Sequence, residues 1–419
     1  MRNVRLPHRL IFSVLLVSGV LSGIWPTPVQ ASLPDSDSFV VSDRLRKSVD
    51  FWINIYTQYD THQGIVHDAK YIDHIYEVID FSKNKRYSRQ RQIREAKRHW
   101  RKVLLSVQHK ADHPSLMNEE ESKVFKLFAD VDEPSKYLAA AHPRRLRWQL
   151  GQKSQFLEAY YISGRYLWAM EGVFRKVGLP EQLTRLPFVE SSFNIKARSK
   201  VGASGIWQFM RSTGKEYMMI NDAVDERNDP VLESEAAAKL LKENYEALHN
   251  WSLAVTSYNH GRKGMMRAVR RIGSDSLEDI ISNYKSRSFG FASGNFYTEL
   301  LAVLEVERNS KKYFGEEPPR AAAVRYYEVN VPDYIRFKDL VRFLRLDPKK
   351  LRDLNPALMP PVFAGSMRIP SGYRIRLPAK DDHDLEVGPK LFMAGYEQIP
   401  AIYKLKNDRR MRSKRRRKR

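Results

Sequence analysis

Leu186-Pro187-Phe188-Val189-Glu190-Ser191-Ser192-Phe193-Asn194 is the stretch on which the reading of this chain turns. A single carboxylate ends an apolar run, and two hydroxyl residues follow it directly. Two glycine-framed segments come later, Gly202-Ala203-Ser204-Gly205-Ile206-Trp207-Gln208 and Ser257-Tyr258-Asn259-His260-Gly261. A carboxyl group held against apolar surface has its charged form disfavoured, so its pKa rises and it carries a proton near neutral pH. That is what protonating a glycosidic oxygen requires. The small residues Gly202, Ala203, Ser204 and Gly205 let backbone approach a bulky substrate closely. Gln208 supplies both a donor and an acceptor, suited to sugar hydroxyl and acetamido groups. Trp207 offers an apolar face to a sugar ring, and Tyr258 and Asn259 are placed to hydrogen-bond Glu190 or substrate. Ser191 and Ser192, next to the acid, are further candidate substrate contacts.

Each piece alone has a plainer reading. A Glu after an apolar run is more often an exposed helix-end charge, Trp207 alone is core, and Gly261 alone is a C-cap. Asp225, Glu226, Arg227 and Asp229 precede a helix and read as capping and ion-pair residues. The three segments in this order outweigh those readings jointly, as none of them would singly.

Composition sets the frame. The chain has 419 residues, enough for two or three domains, with 42% hydrophobic residues and no cysteine. Arg2, Arg5 and Arg9, the apolar run Leu10 to Ile24 and the small residues up to Ala31 read as a secretory signal peptide over 1–31. Export would permit disulfides, but without cysteine stability must come from packing, and a cysteine-linked lipid anchor and thiolate metal sites are excluded. The formal charge is +23 and is unevenly spread. Lys404 to Arg419 carries eleven basic residues against Asp408 alone. Lys83 to Lys102 is a second basic run, in and just after which Ile93, Trp100, Val103, Leu104 and Val107 keep helical spacing. Solvated surface is the plain reading of both. The functional reading is attraction to an anionic partner, which for an exported chain is envelope polymer or lipid rather than nucleic acid. His62, His67 and His74 lack a convergent ligand spacing, so no metal site is expected.

Organisation follows from punctuation and period. Residues 32–150 read as an N-terminal, mainly helical, basic region. From 151 to 314 the periodicity is strongly helical: Asp229-Pro230 opens one helix, and Trp251 to Tyr258 forms another that Gly261 stops. Glu316-Glu317-Pro318-Pro319 reads as a linker. Residues 323–380 alternate as strands around Tyr327-Val329-Val331 and Tyr373-Ile375-Leu377, with two short helices between them: a small α+β module. Residues 381–419 read as a disordered basic tail. The fold class is mainly α.

Glu-Ser-x-Phe, Gly-Ala-x-Gly-Ile-Trp-Gln-Phe and Tyr-Asn-x-Gly in succession resemble the lytic transglycosylases of the soluble-transglycosylase, goose-type lysozyme-like superfamily, over roughly Leu157 to Val306. The resemblance implies a lysozyme-like α domain and non-hydrolytic cleavage of the β-1,4 bond between N-acetylmuramic acid and N-acetylglucosamine, leaving a 1,6-anhydro end. It implies that Glu190 is the catalytic acid, that Gly202 to Gln208 and the Tyr258-Asn259 pair line the cleft, and that Tyr297 is a further cleft residue. Tyr327-Glu328-Val329, Leu354-Asn355-Pro356 and Gly365-Ser366-Met367-Arg368-Ile369-Pro370 resemble a LysM glycan-binding repeat. No cofactor is implied, the partner is peptidoglycan, and the location is the cell envelope. Two alternatives stand beside this. One is a hydrolytic lysozyme using a second carboxylate, with Asp222, Asp225 and Glu226 nearest in sequence. The other is a non-catalytic peptidoglycan-binding protein.

Overall fold

In the computed structural model, which describes residues 39–83 and 86–407, the first α-helix is α1 (Asp43–Thr57). The signal-peptide segment and the end of the basic tail lie outside the described residues. Strands β1 (Gln63–Asp68), β2 (Ile75–Asp80) and, after three helices, β3 (Leu146–Leu150) form an antiparallel sheet in the order β2-β1-β3. Those helices are α2 (Arg89–Lys110), α3 (Glu119–Leu127) and α4 (Lys136–Ala140). On α2 the buried residues are Ile93, Trp100, Val103, Leu104 and Val107, the stripe expected from the spacing, and they close over the sheet. The sheet is an addition to the mainly helical reading of 32–150, in whose described part four α-helices still outweigh three short strands. Five consecutive residues of β1, from Gly64 to Asp68, are buried, so it shows no alternation of the kind that betrays a half-exposed strand.

The central domain runs through α5 (Lys153–Ser163), α6 (Leu167–Lys176), α7 (Leu186–Ser191), α8 (Arg211–Tyr217), α9 (Pro230–Leu248), α10 (Trp251–His260), α11 (Arg262–Ile272), α12 (Leu277–Asn283), α13 (Phe291–Arg308) and α14 (Ser310–Phe314). Asp229 caps α9 by accepting from the backbone N–H groups of Val231 and Leu232, and Gly261 ends α10 with φ +87°. Helix α1 shares this core: Leu45, Val49, Trp52 and Tyr56 are buried in it, and the Trp52 indole donates to Asn295 Oδ1 at 3.1 Å. The first helix is therefore built into the central domain.

The C-terminal module pairs β4 (Tyr326–Asn330) with β6 (Arg374–Pro378), antiparallel. Between them lie β5 (Tyr334–Ile335) and helices α15 (Phe337–Leu344), α16 (Pro348–Leu354) and α17 (Pro360–Phe363). The tail is not disordered from 381. Helix α18 (Asp382–Glu397) follows β6, and β7 (Lys404–Leu405) pairs with β5. Gly388, Phe392 and Tyr396 recur every four residues on the buried face of α18. Gly388 allows the closest approach, since a Cβ there would stand 2.5 Å from the Tyr327 ring. Among the described residues no helix is long and apolar enough to cross a membrane.

Candidate active site

Pro187 suits the start of α7, where its missing N–H costs nothing. Leu186, Pro187 and Phe188 are buried, and the helix stops after little more than one turn at Ser192, whose φ is +51°. Phe193, also left-handed at +53°, turns back into the core and meets the Phe188 ring edge-on at 4.8 Å. Glu190 is thus left on the last turn, half-buried. Upstream, Arg185 fixes the entry to the helix: its Nε donates to Glu307 Oε2 at 2.6 Å and its Nη1 pairs with Glu171.

The glycine-framed segment folds into a tight loop. The Ser204 N–H donates to the Phe209 carbonyl at 3.2 Å, and the Gly205 N–H to the Ala197 carbonyl at 3.1 Å. Gly205 has φ +84°, and a Cβ there would lie 1.8 Å from the Arg227 carbonyl oxygen and 2.4 and 2.5 Å from the Glu233 carboxylate oxygens. Only glycine fits. Gln208 is left-handed too, at +52°, and its Nε2 donates to the Gly205 carbonyl at 2.8 Å. Ser192, Phe193 and Gln208 are non-glycine residues in a sparsely populated region, within two short segments. Such strain persists where surrounding structure over-determines it, and it gathers at functional sites.

Hydrogen bonds tie these segments together. Ser191 Oγ donates to the Ile206 carbonyl at 2.8 Å, joining α7 to the loop. Tyr258 Oη donates to the Trp207 carbonyl at 2.9 Å, joining α10 to the same loop. Ser293 Oγ donates to Asn259 Oδ1 at 2.8 Å, joining α13 to α10. The Tyr258 ring lies parallel to Phe296, with centroids 6.3 Å apart.

Electrostatically the site is a set of carboxyl groups short of solvation. Burial pushes Glu190 up to about 8. Glu299, on the α13 face that carries Ser293 and Phe296, is also pushed up to about 8, first by burial and then by the nearby Glu190 charge. Tyr258 is raised well above its ordinary value by burial, with Glu190 and Glu233 adding to the effect. Glu233 is fully buried beneath the loop and is raised by burial. The backbone N–H groups of Trp207, Ile206 and Phe209 act on it in the opposite sense.

The expected site residues separate accordingly. Ser191 and Tyr258 are bonded to the loop that holds Gly205 and Gln208, Asn259 is bonded to Ser293 on α13, Ser192 is the left-handed cap of α7, and Gly202 is exposed at the loop's outer end. Trp207 is no sugar platform: it is fully buried, stacks on Phe174 and donates from Nε1 to Ser234 Oγ at 2.8 Å. Ser204 is also withdrawn, with its hydroxyl donating to Asn228 Oδ1. Tyr297 points away from the face of α13 that bears Glu299. It meets Phe39 and lines a separate cavity of about 320 Å³ with Glu278, Tyr245 and Trp251. Asp225 is held by Arg227, and Glu226 accepts from the Met219 N–H, so neither is a free second acid. Sequence reading missed Ser293, Phe296, Glu299 and Glu233. The first three repeat at a spacing of three along α13, a signal available only once the packed face of that helix is known.

Part of the chain is similar to known proteins. Residues 175–281 match the family described as Transglycosylase SLT domain. Over 208 residues the chain is 25% identical to membrane-bound lytic murein transglycosylase D of Escherichia coli K12, covering 49% of this chain and 45% of that protein. The same protein from E. coli O6:H1 strain CFT073 aligns with the same identity and coverage. The chain thus spans less than half the length of these relatives. An inactive variant of the lytic transglycosylase Slt from Pseudomonas aeruginosa aligns at 16% identity with a TM-score of 0.31, over 49% of this chain and 32% of that one. The segment that matches the Transglycosylase SLT domain, residues 175–281, is the one that holds Glu190, the glycine loop and Tyr258.

Proposed function

We propose that this chain is a peptidoglycan lytic transglycosylase in which Glu190 acts first as acid and then as base. The observation that carries the reading is Glu190 itself: a half-buried carboxyl at a helix end, pushed up to about 8 by burial and therefore protonated at neutral pH. In the first step it gives its proton to the glycosidic oxygen between N-acetylmuramic acid and N-acetylglucosamine, and the C1–O bond breaks. The resulting carboxylate then accepts the proton of the muramic C6 hydroxyl as that oxygen closes onto C1. The product is a 1,6-anhydro end, and no water is consumed. Acid–base help of this kind contributes about 10² to 10⁴ in rate. Envelope localisation, with the basic end held at an anionic surface, belongs to the same proposal and rests on the charge pattern.

Glu299 favours a second reading, hydrolysis. A retaining or inverting glycosidase needs a second carboxylate roughly 5–9.5 Å from the first, and Glu299 is close enough to sense the Glu190 charge. Its own value, about 8, argues against that role, because a neutral carboxyl neither activates water nor attacks an anomeric carbon. Mass spectrometry of digested peptidoglycan separates the readings, since anhydro ends are one water lighter than reducing ends. Reducing ends would mean hydrolysis, and no released fragments would mean a binding protein.

A further inference from the structure

We propose that the C-terminal module is a structural part of the active site and that Arg376, acting through Asp229, is a positioning residue for the glycine loop opposite Glu190. This rests on the transglycosylase reading only for its kinetic readout.

The underside of the loop is held by one short segment, 225–234. Arg227, buried, donates from Nη1 to the Gly202 carbonyl at 3.0 Å and the Phe209 carbonyl at 3.1 Å, gripping both ends of the loop. Asn228 accepts from Ser204, Ser234 accepts from Trp207, and Glu233 fills the space under Gly205. That segment is held in turn by the module. Arg376 Nη1 reaches the two Asp229 carboxylate oxygens at 2.6 and 2.5 Å, and its Nε reaches Glu328 at 2.8 Å. Arg376 is 4% exposed and Asp229 1%, so the pair lies where water screens it little. Asp229 also caps α9, so one carboxylate links the module to the helix that carries Glu233 and Ser234.

Backbone pairing adds to this. The Asp225 N–H donates to the Ala357 carbonyl at 2.8 Å and the Met359 N–H to the Ala223 carbonyl at 2.9 Å, while Ala223 and Val224 sit in the module's own core. Just after the expected linker the chain is laid along α5, where the Ala321 N–H donates to the Tyr161 carbonyl at 2.9 Å and Arg320 Nη1 to Ser163 Oγ at 2.7 Å. Domains joined for mobility meet through modest polar surfaces. A module that shares backbone bridges, a buried ion pair and core residues with the site is fixed to it.

A tether and a brace differ in what they change. Losing a tether weakens retention on polymer and leaves turnover of short soluble glycans intact. Losing a brace displaces catalytic geometry, for which a shift of about 1 Å costs about 10²-fold. The test uses full-length Arg376→Gln and Arg376→Lys, with kcat and KM on a short soluble muroglycan and hydrogen exchange of the Ile206, Trp207 and Phe209 amides. The expectation is a kcat lower by roughly 10- to 100-fold in Arg376→Gln with little change in KM, faster exchange at those amides, and partial recovery in Arg376→Lys. If Arg376→Gln melts below the assay temperature, Arg374→Gln takes its place. It loosens the half-exposed pair with Glu235 on the same strand, and the same two changes are expected at smaller size. Unchanged kcat and exchange in a folded variant overturn the proposal. Wild-type protein that releases no anhydro product, with exchange still accelerated in the variant, leaves the brace standing and removes the transglycosylase reading.

Discussion

Replacing Gly205 by alanine tests the loop geometry most severely. At φ +84° an L-residue is strained by about 1–2 kcal/mol. The new methyl would also start 1.8 Å from the Arg227 carbonyl oxygen, so the two backbones must part by at least 1.2 Å to reach a 3.0 Å contact. Overpacking of this kind costs about 1–3 kcal/mol. Together these give a loss of about 2–5 kcal/mol. Because Arg227 also grips Gly202 and Phe209, the displacement passes to the loop itself, and about 10²-fold in turnover is expected to follow. Gly202→Ala is the matched control. Its φ is +90°, but nothing lies within 4 Å of the added Cβ, so only the strain of about 1–2 kcal/mol applies. Urea unfolding gives the stabilities and release of soluble muropeptide gives the turnover. A Gly205→Ala variant no less stable than Gly202→Ala, with activity within twofold of wild type, would refute the reasoning.

Two further outcomes follow from burial. With Glu190 pushed up to about 8, the protonated acid predominates at pH 7. kcat/KM should therefore fall about tenfold per unit above pH 8, whereas a limb centred in the ordinary carboxylate range would show the acid to be solvated. The same raised value means that the stability gained by keeping this carboxyl protonated is full at acid pH and declines up to about pH 8. Glu233, fully buried and raised by burial, is expected to sit neutral beneath the loop. Glu233→Gln should then cost less than about 1 kcal/mol in thermal unfolding at pH 7, while Glu233→Ala opens a void and costs about 2–4 kcal/mol. Equal losses in the two variants would argue against the neutral form.

Local chemistry was legible where it acts locally. Asp229-Pro230 as a helix start, Gly261 as a stop and the α2 stripe all depend on residues a few positions apart, and the structure places them as their spacing requires. The grouping of Glu190, the glycine loop and Tyr258 was legible because three unusual segments occur in one order. What failed depended on tertiary neighbours. Trp207 has the chemistry of a sugar platform, but Phe174 and Ser234 claim its ring and indole nitrogen. Tyr297 and Glu299 lie two residues apart on one helix, hence on different faces, and only the packing of α13 decides which face meets Glu190. The β1 strand hid because it is buried on both faces, and the brace through Arg376 because its partner lies 147 positions away.

Whether Glu190 carries the proton is directly measurable. Wild-type protein and Glu190→Gln are incubated with purified sacculi, and the 1,6-anhydro ends released are counted by mass spectrometry, with thermal unfolding recorded for both. If Glu190 does carry it, wild type yields abundant anhydro ends, the variant at least about 10²-fold fewer, and the variant's unfolding temperature is no lower than that of wild type, because the amide replaces an already neutral carboxyl. Near-normal release of anhydro ends by a folded Glu190→Gln variant would contradict that role.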